Sequence, residues 1–300
     1  MSSFLNGQTS GPARLRELLA GAEPILAPGA YDALSARLVE AAGFPAVYMT
    51  GFGTAAGVLG RPDVGLLGMS EMAGHAQHLV EAVGLPVIAD ADTGYGNPLN
   101  VIRTVHAYER SGVAAIHIED QVAPKKCGHM EGKQLIPAAE MVTKVRAAVA
   151  ARRTDLVLIA RTDARAVEGL ERAIERARRY YDAGADVLFF EAPQSEAEIE
   201  VVAHELADMP LLFNWAEGGK TPPISYSSLR ELGFRIIIYP ISALLAATGA
   251  IRTVLSTIKR DGTPAAALPG LPDFHEFLDF IGLPEIQQLE QRFASSSQGG

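Results

Sequence analysis

Residues 86–120 read PVIADADTGYGNPLNVIRTVHAYERSGVAAIHIED. The stretch opens on a short apolar run, PVIADAD (86–92), and closes on another, AAIHIED (114–120), each ending in carboxylates. Between them, 98–112 carries apolar residues at helical spacing and stops at Gly112, the residue type that most easily takes the left-handed conformation ending a helix. This is one strand–helix–strand unit. Runs so nearly continuous in apolar residues suit parallel strands buried on both faces.

Outward from this stretch the unit recurs. Upstream are PILAPG (24–29) and AVYMTG (46–51); downstream are LVLIART (156–162), DVLFFEA (186–192), PLLFNWA (210–216) and RIIIYP (235–240). Helical spacing predicts helices over 31–43, 70–83, 138–152, 168–183, 196–207 and 225–233, with Gly43, Gly84, Gly184 and Gly233 set just before the next strand. Eight repeats select an α/β fold of the closed (β/α)₈ TIM-barrel type over an open doubly wound sheet. The chain of 300 residues accommodates one such barrel of about 250 residues with extra helices. Those extras lie at the end: an apolar helix over 241–260, a Pro/Gly-rich link over 262–272 and more helix over 273–293. They form either a cap on the barrel or an arm docking on a neighbouring subunit, within a single domain of residues 1–294. The tail SSSQGG (295–300) reads as disordered.

Composition narrows the function. A net charge of −9, with 26 basic and 35 acidic residues and no basic block, argues against nucleic acid as partner. The longest apolar runs fall far short of the ~18 residues of a membrane span. One cysteine excludes an intrachain disulfide, and MSSFLNGQTSGPARLREL does not read as a secretion signal, so a cytoplasmic protein is expected.

In a barrel, chemistry gathers where strands end. Here Tyr48 and Thr50, Asp90 and Asp92, Glu119 and Asp120, Arg161 and Asp163, Glu191, Asn214 and Tyr239 occupy those ends, and long gaps over 52–69 and 121–137 offer loops above them. Asp90 and Asp92, two apart, share a face on a regular strand, and Glu119 can join them; a set of hard oxygens points to Mg²⁺ or Mn²⁺. The alternative is a carboxylate pair held by Arg161 or a lysine. Arg161 suits a bidentate grip on a carboxylate or phosphonate, or a structural ion pair to Glu119 or Glu191. Thr50, Gly51 and Phe52 offer backbone N–H groups to an anion, and Lys220 in EGGKTP (217–222) is a further candidate cation. The sole cysteine, Cys127, lies among Lys125, Lys126, Gly128 and His129, a setting that favours a thiolate; otherwise it is a small buried apolar residue.

Taken together, DADTGYGN (90–97), HIEDQ (117–121), KKCGH (125–129) with the flanking EGK (131–133), IARTDA (159–164), FFEA (189–192) and NWAEGGKTP (214–222) resemble the isocitrate lyase/phosphoenolpyruvate mutase superfamily. The resemblance implies Mg²⁺ near Asp90 and Asp92, with Asp63 and Glu119 in its water shell, and a homotetramer that swaps a C-terminal helix. It implies substrate contacts from Thr50, Gly51, Phe52, Gly128, His129, Arg161, Glu191 and Asn214. It places Cys127 on a gating loop as the acid of the C–C lyases, with Tyr48 as base or hydroxyl polariser. The activity expected is Mg²⁺-dependent cleavage of a 2-hydroxy dicarboxylate, of substituted malate or methylisocitrate type, to an α-keto acid and a carboxylate. Phosphonomutase and oxaloacetate hydrolase activities are the alternatives, and a non-catalytic carboxylate-binding module is a further one. KKCGHMEGK is closer to the dimethylmalate lyases and carboxyphosphonoenolpyruvate phosphonomutases than to the methylisocitrate lyases. Leu245 stands where methylisocitrate lyases carry an arginine, and Pro240 where oxaloacetate hydrolases tend to carry serine.

Overall fold

The computed structural model describes residues 11–294. Helix α1 (Gly11–Ala20) leads into β1 (Ile25–Ala30), α2 (Ala33–Ala41) and β2 (Val47–Met49). There follow α3 (Gly51–Thr54), a π-helical turn at Ala55–Leu59, α4 (Met69–Ala82), β3 (Val87–Asp90), α5 (Pro98–Ser111) and β4 (Ala115–Glu119). The order continues with α6 (Ala138–Ala151), β5 (Val157–Thr162), α7 (Arg165–Glu168), α8 (Leu170–Asp182), β6 (Val187–Phe190) and α9 (Glu196–Glu205). It then runs through β7 (Leu211–Asn214), α10 (Tyr226–Glu231) and β8 (Ile236–Tyr239) into α11 (Ser242–Asp261), a 3₁₀ turn at Ala265–Gly270, α12 (Phe274–Phe280) and α13 (Leu283–Ala294). The strands pair in sequence order and all in parallel, and β1 closes on β8 with Ile25 opposite Ile236 and Pro28 opposite Tyr239. The expected (β/α)₈ barrel is thus formed, and closure leaves no unpaired edge.

Local chemistry sets the helix ends. Asn97 caps α5 by accepting the N–H groups of Leu99 (2.9 Å) and Asn100 (3.2 Å), and Pro98 fills the first turn. Gly43, Gly112, Gly184 and Gly233 take the left-handed φ expected of them. Gly84 does not: α4 ends in extended backbone at Val83, and Gly84 instead gives its N–H to Glu40 Oε1 at 2.7 Å.

Two apolar cores result from the two faces of the strands. One lies between the barrel and its helices. The other fills the barrel, built from Ile25, Ile88, Ala115, Val157, Ile159, Val187, Leu212, Ile236 and Ile238. Sequence reading begins at residue 24 and misses α1, whose wholly buried Leu15, with Leu18 and Leu19, belongs to this inner core. Because strand side chains alternate, the inward positions climb from apolar to polar: Ala115, His117, Glu119 on β4; Val157, Ile159, Arg161 on β5; Leu212, Asn214 on β7.

The chain divides into two compact units between Leu244 and Leu245. The first holds the barrel. The second carries the rest of α11 and the helices after it, and exposes Ile251, Leu255, Phe274 and Phe293. The link expected over 262–272 contains the 3₁₀ turn, and the tail at 295–300 lies outside the described residues. No helix among the described residues is long and apolar enough to cross a membrane.

Candidate active site at the C-terminal rim of the barrel

The inward alternation brings Tyr48 on β2, Asp90 on β3 and His117 on β4 together. Asp90 is in register with His117, and Tyr48 Oη lies 2.8 Å from His117 Nε2, with Asp90 Oδ1 3.6 Å from the same nitrogen. Burial pushes His117 down to about 4 and holds the Tyr48 phenol well above its ordinary range, so the pair is a neutral imidazole and a neutral hydroxyl. Thr50 caps the short α3 through Gly53 N–H. Gly51 packs against Asp90: a methyl group there would overlap the Asp90 carboxylate and lie 2.8 Å from its Cγ.

The carboxylates converge by a different route from the one expected. β3 ends at Asp90, and Asp92 sits past it with φ of +46°, so strand alternation does not align the pair. A hairpin-like bend does, in which Asp92 N–H donates to Asp90 Oδ1 at 2.9 Å. Lys125, not singled out as a ligand-site residue, reaches into this group: its Nζ lies 2.5 Å from Asp63 Oδ2 and 2.9 Å from Asp92 Oδ1. Burial opposes that ammonium, but Asp92, Asp90 and Asp63 outweigh it and keep it charged. Asp92 itself is pushed up to about 6 by burial, which Lys125 partly offsets. Glu119 is 1% exposed, and neither of its carboxylate oxygens has a hydrogen-bond partner, though Arg161 Nε lies 3.3 Å away. Among the described residues no three His, Cys, Asp or Glu side chains group closely enough to chelate an ion directly. Burial holds the Glu119 carboxyl well above its ordinary range, opposed by Arg161. Its two unpartnered oxygens, beside the carboxylates of Asp90 and Asp92, fit a hard cation held through one or two carboxylates and several waters, whose positive charge would favour the ionised form.

Across the rim, Arg161 is forked by Asp163 (2.9 and 3.1 Å), lies 3.6 Å from Glu191 Oε1 and rests on the Phe189 ring at 4.8 Å. The structural ion pairs expected as an alternative are therefore present, and Arg161 still lines the cavity. Asn214 donates to Glu191 Oε2 at 3.2 Å. His129 Nδ1 accepts the backbone N–H of Lys220 at 3.1 Å, which puts the ring proton on Nε2, 3.4 Å from Glu191 Oε1. Lys220 thus contributes its backbone, and its Nζ lies 3.9 Å from the exposed Glu131.

These partners overturn the thiolate reading of Cys127. Lys125 is committed to Asp63 and Asp92, Lys126 Nζ turns to the carbonyl of Glu131 at 3.4 Å, and the His129 ring is engaged by the Lys220 N–H and Glu191. Burial therefore dominates and raises the thiol above its ordinary value, opposed by the His129 N–H and Arg161 and reinforced by Glu191. The loop that carries Cys127 is held at its root by Gln121, whose amide brackets Lys126: Nε2 donates to its carbonyl (2.8 Å) and Oε1 accepts its N–H (3.0 Å).

A cavity of about 240 Å³ opens where these groups meet. Tyr48, Thr50, Gly51, Phe52, Asp63, Asp90, Cys127, Gly128, His129, Arg161, Glu191 and Asn214 all line it, and Asp92 and Glu119 lie buried outside its lining. Lys125, Pro240 and Ile241 line it too. Of the groups missed from the sequence, His117 was readable as the inward position two before Glu119. Lys125 and Gln121 depend on how the loop folds back.

The chain is similar to known proteins over nearly its whole length. The 2,3-dimethylmalate lyase of Eubacterium barkeri is 46% identical over 284 residues, covering 94% of this chain and 98% of that one. The 2-methylisocitrate lyase of Aeropyrum pernix is 45% identical, covering 95% and 91%. Among solved structures, oxaloacetate acetylhydrolase with 3,3-difluorooxalacetate superposes with a TM-score of 0.90 at 39% identity, covering 98% and 99%. Phosphonopyruvate hydrolase with oxalate and Mg²⁺ does so at 0.87 and 31%, covering 95% and 100%. The phosphoenolpyruvate phosphomutase family model matches residues 15–259, through every strand of the barrel, and the chain belongs to that family.

Proposed function

We propose that this protein is a Mg²⁺-dependent C–C lyase that cleaves a 2-hydroxy dicarboxylate to an α-keto acid and a carboxylate. The observation that carries the reading is one cavity lined by a thiol that keeps its proton, a guanidinium and an acidic cluster. The two curated relatives described above, both named as lyases of such acids, support it.

In this mechanism Arg161, held flat by Asp163, grips one substrate carboxylate bidentately. Gly51 and Phe52 lie in the first turn of α3, where backbone N–H groups have no partner inside the helix, and receive the other end of the anion. Tyr48 holds its proton too strongly to ionise, and it acts instead as a relay: its Oη accepts the substrate hydroxyl's proton while handing its own to Nε2 of the neutral His117, 2.8 Å away. Asp90, Asp92, Asp63 and Glu119 would hold Mg²⁺ or Mn²⁺. Such an ion, when bound, supplies positive charge against the negative charge that develops on the substrate oxygens. As the hydroxyl oxygen loses its proton to the Tyr48–His117 pair and becomes the keto oxygen, the bond between its carbon and the neighbouring carbon breaks, the electron pair stays on the neighbour, and Cys127 Sγ gives that carbon its proton; once the products leave, the proton held on His117 returns through solvent to the thiolate. The 121–137 loop excludes water meanwhile.

Leu245 stands where methylisocitrate lyases carry an arginine, which favours substituted malates over methylisocitrate. The exposed apolar residues after Leu245 support a homotetramer in which this arm, part of a single catalytic domain of residues 1–294, docks on a neighbouring copy. A reducing, cytoplasmic compartment suits an enzyme whose one cysteine must remain a free thiol. The test is to incubate the pure protein with Mg²⁺ and, separately, 2,3-dimethylmalate, methylisocitrate, isocitrate, oxaloacetate and phosphonopyruvate, following products by NMR. The expected result is an α-keto acid plus a carboxylate from a substituted malate, abolished by EDTA and lowered about 10²–10⁴-fold by Cys127→Ser. Turnover in chelator overturns the metal reading, and turnover of phosphonopyruvate alone replaces the lyase by the phosphonomutase reading.

A further inference from the structure

Lys133 lies six residues beyond Cys127, at the far end of the loop, and its side chain is 2% exposed. Burying an ammonium is costly unless several acceptors surround it. Here there are two. Nζ donates to Asp163 Oδ1 at 2.9 Å and, in a very short contact, to the backbone carbonyl of Gly128, the residue next to Cys127. Asp163 is the carboxylate that forks Arg161, with Oδ1 shared between the guanidinium and the ammonium. A chain of hydrogen bonds therefore runs from the substrate-gripping Arg161 through Asp163 and Lys133 to the backbone that carries the thiol.

We propose that Lys133 is the positioning residue for Cys127: it seats the Cys127–Gly128 peptide over the site and ties the seat to the orientation of Arg161. The proposal rests on the reading of Cys127 as the acid, but the seat itself is a structural claim that stands or falls separately. Gly128 makes the seat possible, because its bare backbone approaches Arg161 and Glu191 more closely than any side chain would permit. Without Lys133 the Gly128 carbonyl would face the Asp163 carboxylate with no cation between them. Repulsion would lift the loop, while Asp163 would go on holding Arg161 by itself.

The experiment compares wild type with Lys133→Met, which keeps the length and removes the donor. The rate of iodoacetamide alkylation of Cys127, the only cysteine in the chain, is read by mass spectrometry at one pH, alongside kcat, KM and Tm. Alkylation is expected to rise about tenfold as the loop lifts, and kcat to fall on the order of 10²-fold, the usual cost of misplacing a catalytic group by about 1 Å. KM is expected to stay within about threefold, since Arg161 keeps its fork. Wild-type alkylation and kcat, whether or not Tm falls, overturn the proposal. Should the methionine variant not fold, Lys133→Arg carries the same test: its planar head does not reproduce the two contacts from this stem, so alkylation should rise at least about threefold, and an unchanged rate overturns the seat. If Cys127→Ser turns over normally, the acid reading fails, and the alkylation comparison still decides the role of Lys133.

Discussion

Gly128→Ala tests the geometry of the site with a single methyl group. The backbone at Gly128 is not in the left-handed region, so alanine is conformationally acceptable and only space matters. The new methyl would overlap Glu191 Oε1 and Arg161 Nη2 and lie 2.5 Å from Glu191 Cδ, whereas ordinary contact begins at 3.4 Å. Neither neighbour can step aside: Glu191 is buried and bonded by Asn214, and Arg161 is fixed by Asp163 beneath and Phe189 at its face. The loop must therefore move by about 1 Å, a displacement that takes Cys127 with it and costs kcat on the order of 10²-fold. The fold should barely notice, because Cys127 and Gly128 belong to neither apolar core, and the loop joins the outer one only at its far end, through Leu135 and Ile136. Steady-state kinetics with a substituted malate, paired with thermal unfolding, make the measurement. A variant whose kcat stays within about threefold of wild type would refute the close approach of loop and rim; a Tm lowered by more than about 5 °C would show that the loop is part of the stability of the barrel.

The raised thiol predicts how Cys127 reacts with pH. Only the thiolate is alkylated, so with its pKa above the ordinary value the rate should climb about tenfold per pH unit from 7 to 8 and still be rising at 9; a plateau below pH 8 would restore the thiolate reading. Asp120→Ala should destabilise the protein strongly. Asp120 is fully buried and accepts from Thr162 Oγ1 (2.8 Å), Asp163 N–H (2.9 Å) and Tyr180 Oη (2.7 Å), with Arg176 at 3.3 Å. Removing it leaves three buried donors unmet, while Arg176 keeps its two-point pair to Glu168 (2.7 and 2.6 Å); the loss is about 3–5 kcal/mol, and calorimetry should show a Tm lower by on the order of 10 °C. A fall of under 2 °C would mean that water replaces the carboxylate.

Much of this was legible in the residues because a barrel writes its plan in short range. Strand position alone sends Tyr48, Arg161 and Asn214 to one rim, and runs of apolar residues ended by Gly112 or Gly184 mark each repeat. Long-range contacts are less visible. That Lys125 folds back to Asp63, 62 residues earlier, follows from the course of the loop and from nothing in its neighbours in sequence. The same holds for Cys127: a run of basic residues promised a thiolate, but each cation is engaged elsewhere, and charge adjacent in sequence is not charge adjacent in space. Asp92 shows the converse: it does meet Asp90, but through the left-handed turn at +46° and not through the strand alternation expected of it. α1 was missed because a helix that reaches the inner core with one fully buried leucine, Leu15, belongs to no repeat.

The climb from apolar to polar along each inward strand face gives this molecule an unusual kind of adaptability. On β5, Val157 and Ile159 belong to the filling of the barrel, while Arg161, two positions on, faces the cavity; on β7 the change from Leu212 to Asn214 takes the same two residues. Foundation and workshop occupy different storeys of one column. A library that varies Asn214, Pro240 and Ile241 and leaves the lower storey untouched, Tyr48 with it, would explore new substrates on an intact scaffold, with failures that are failures of chemistry and not of folding.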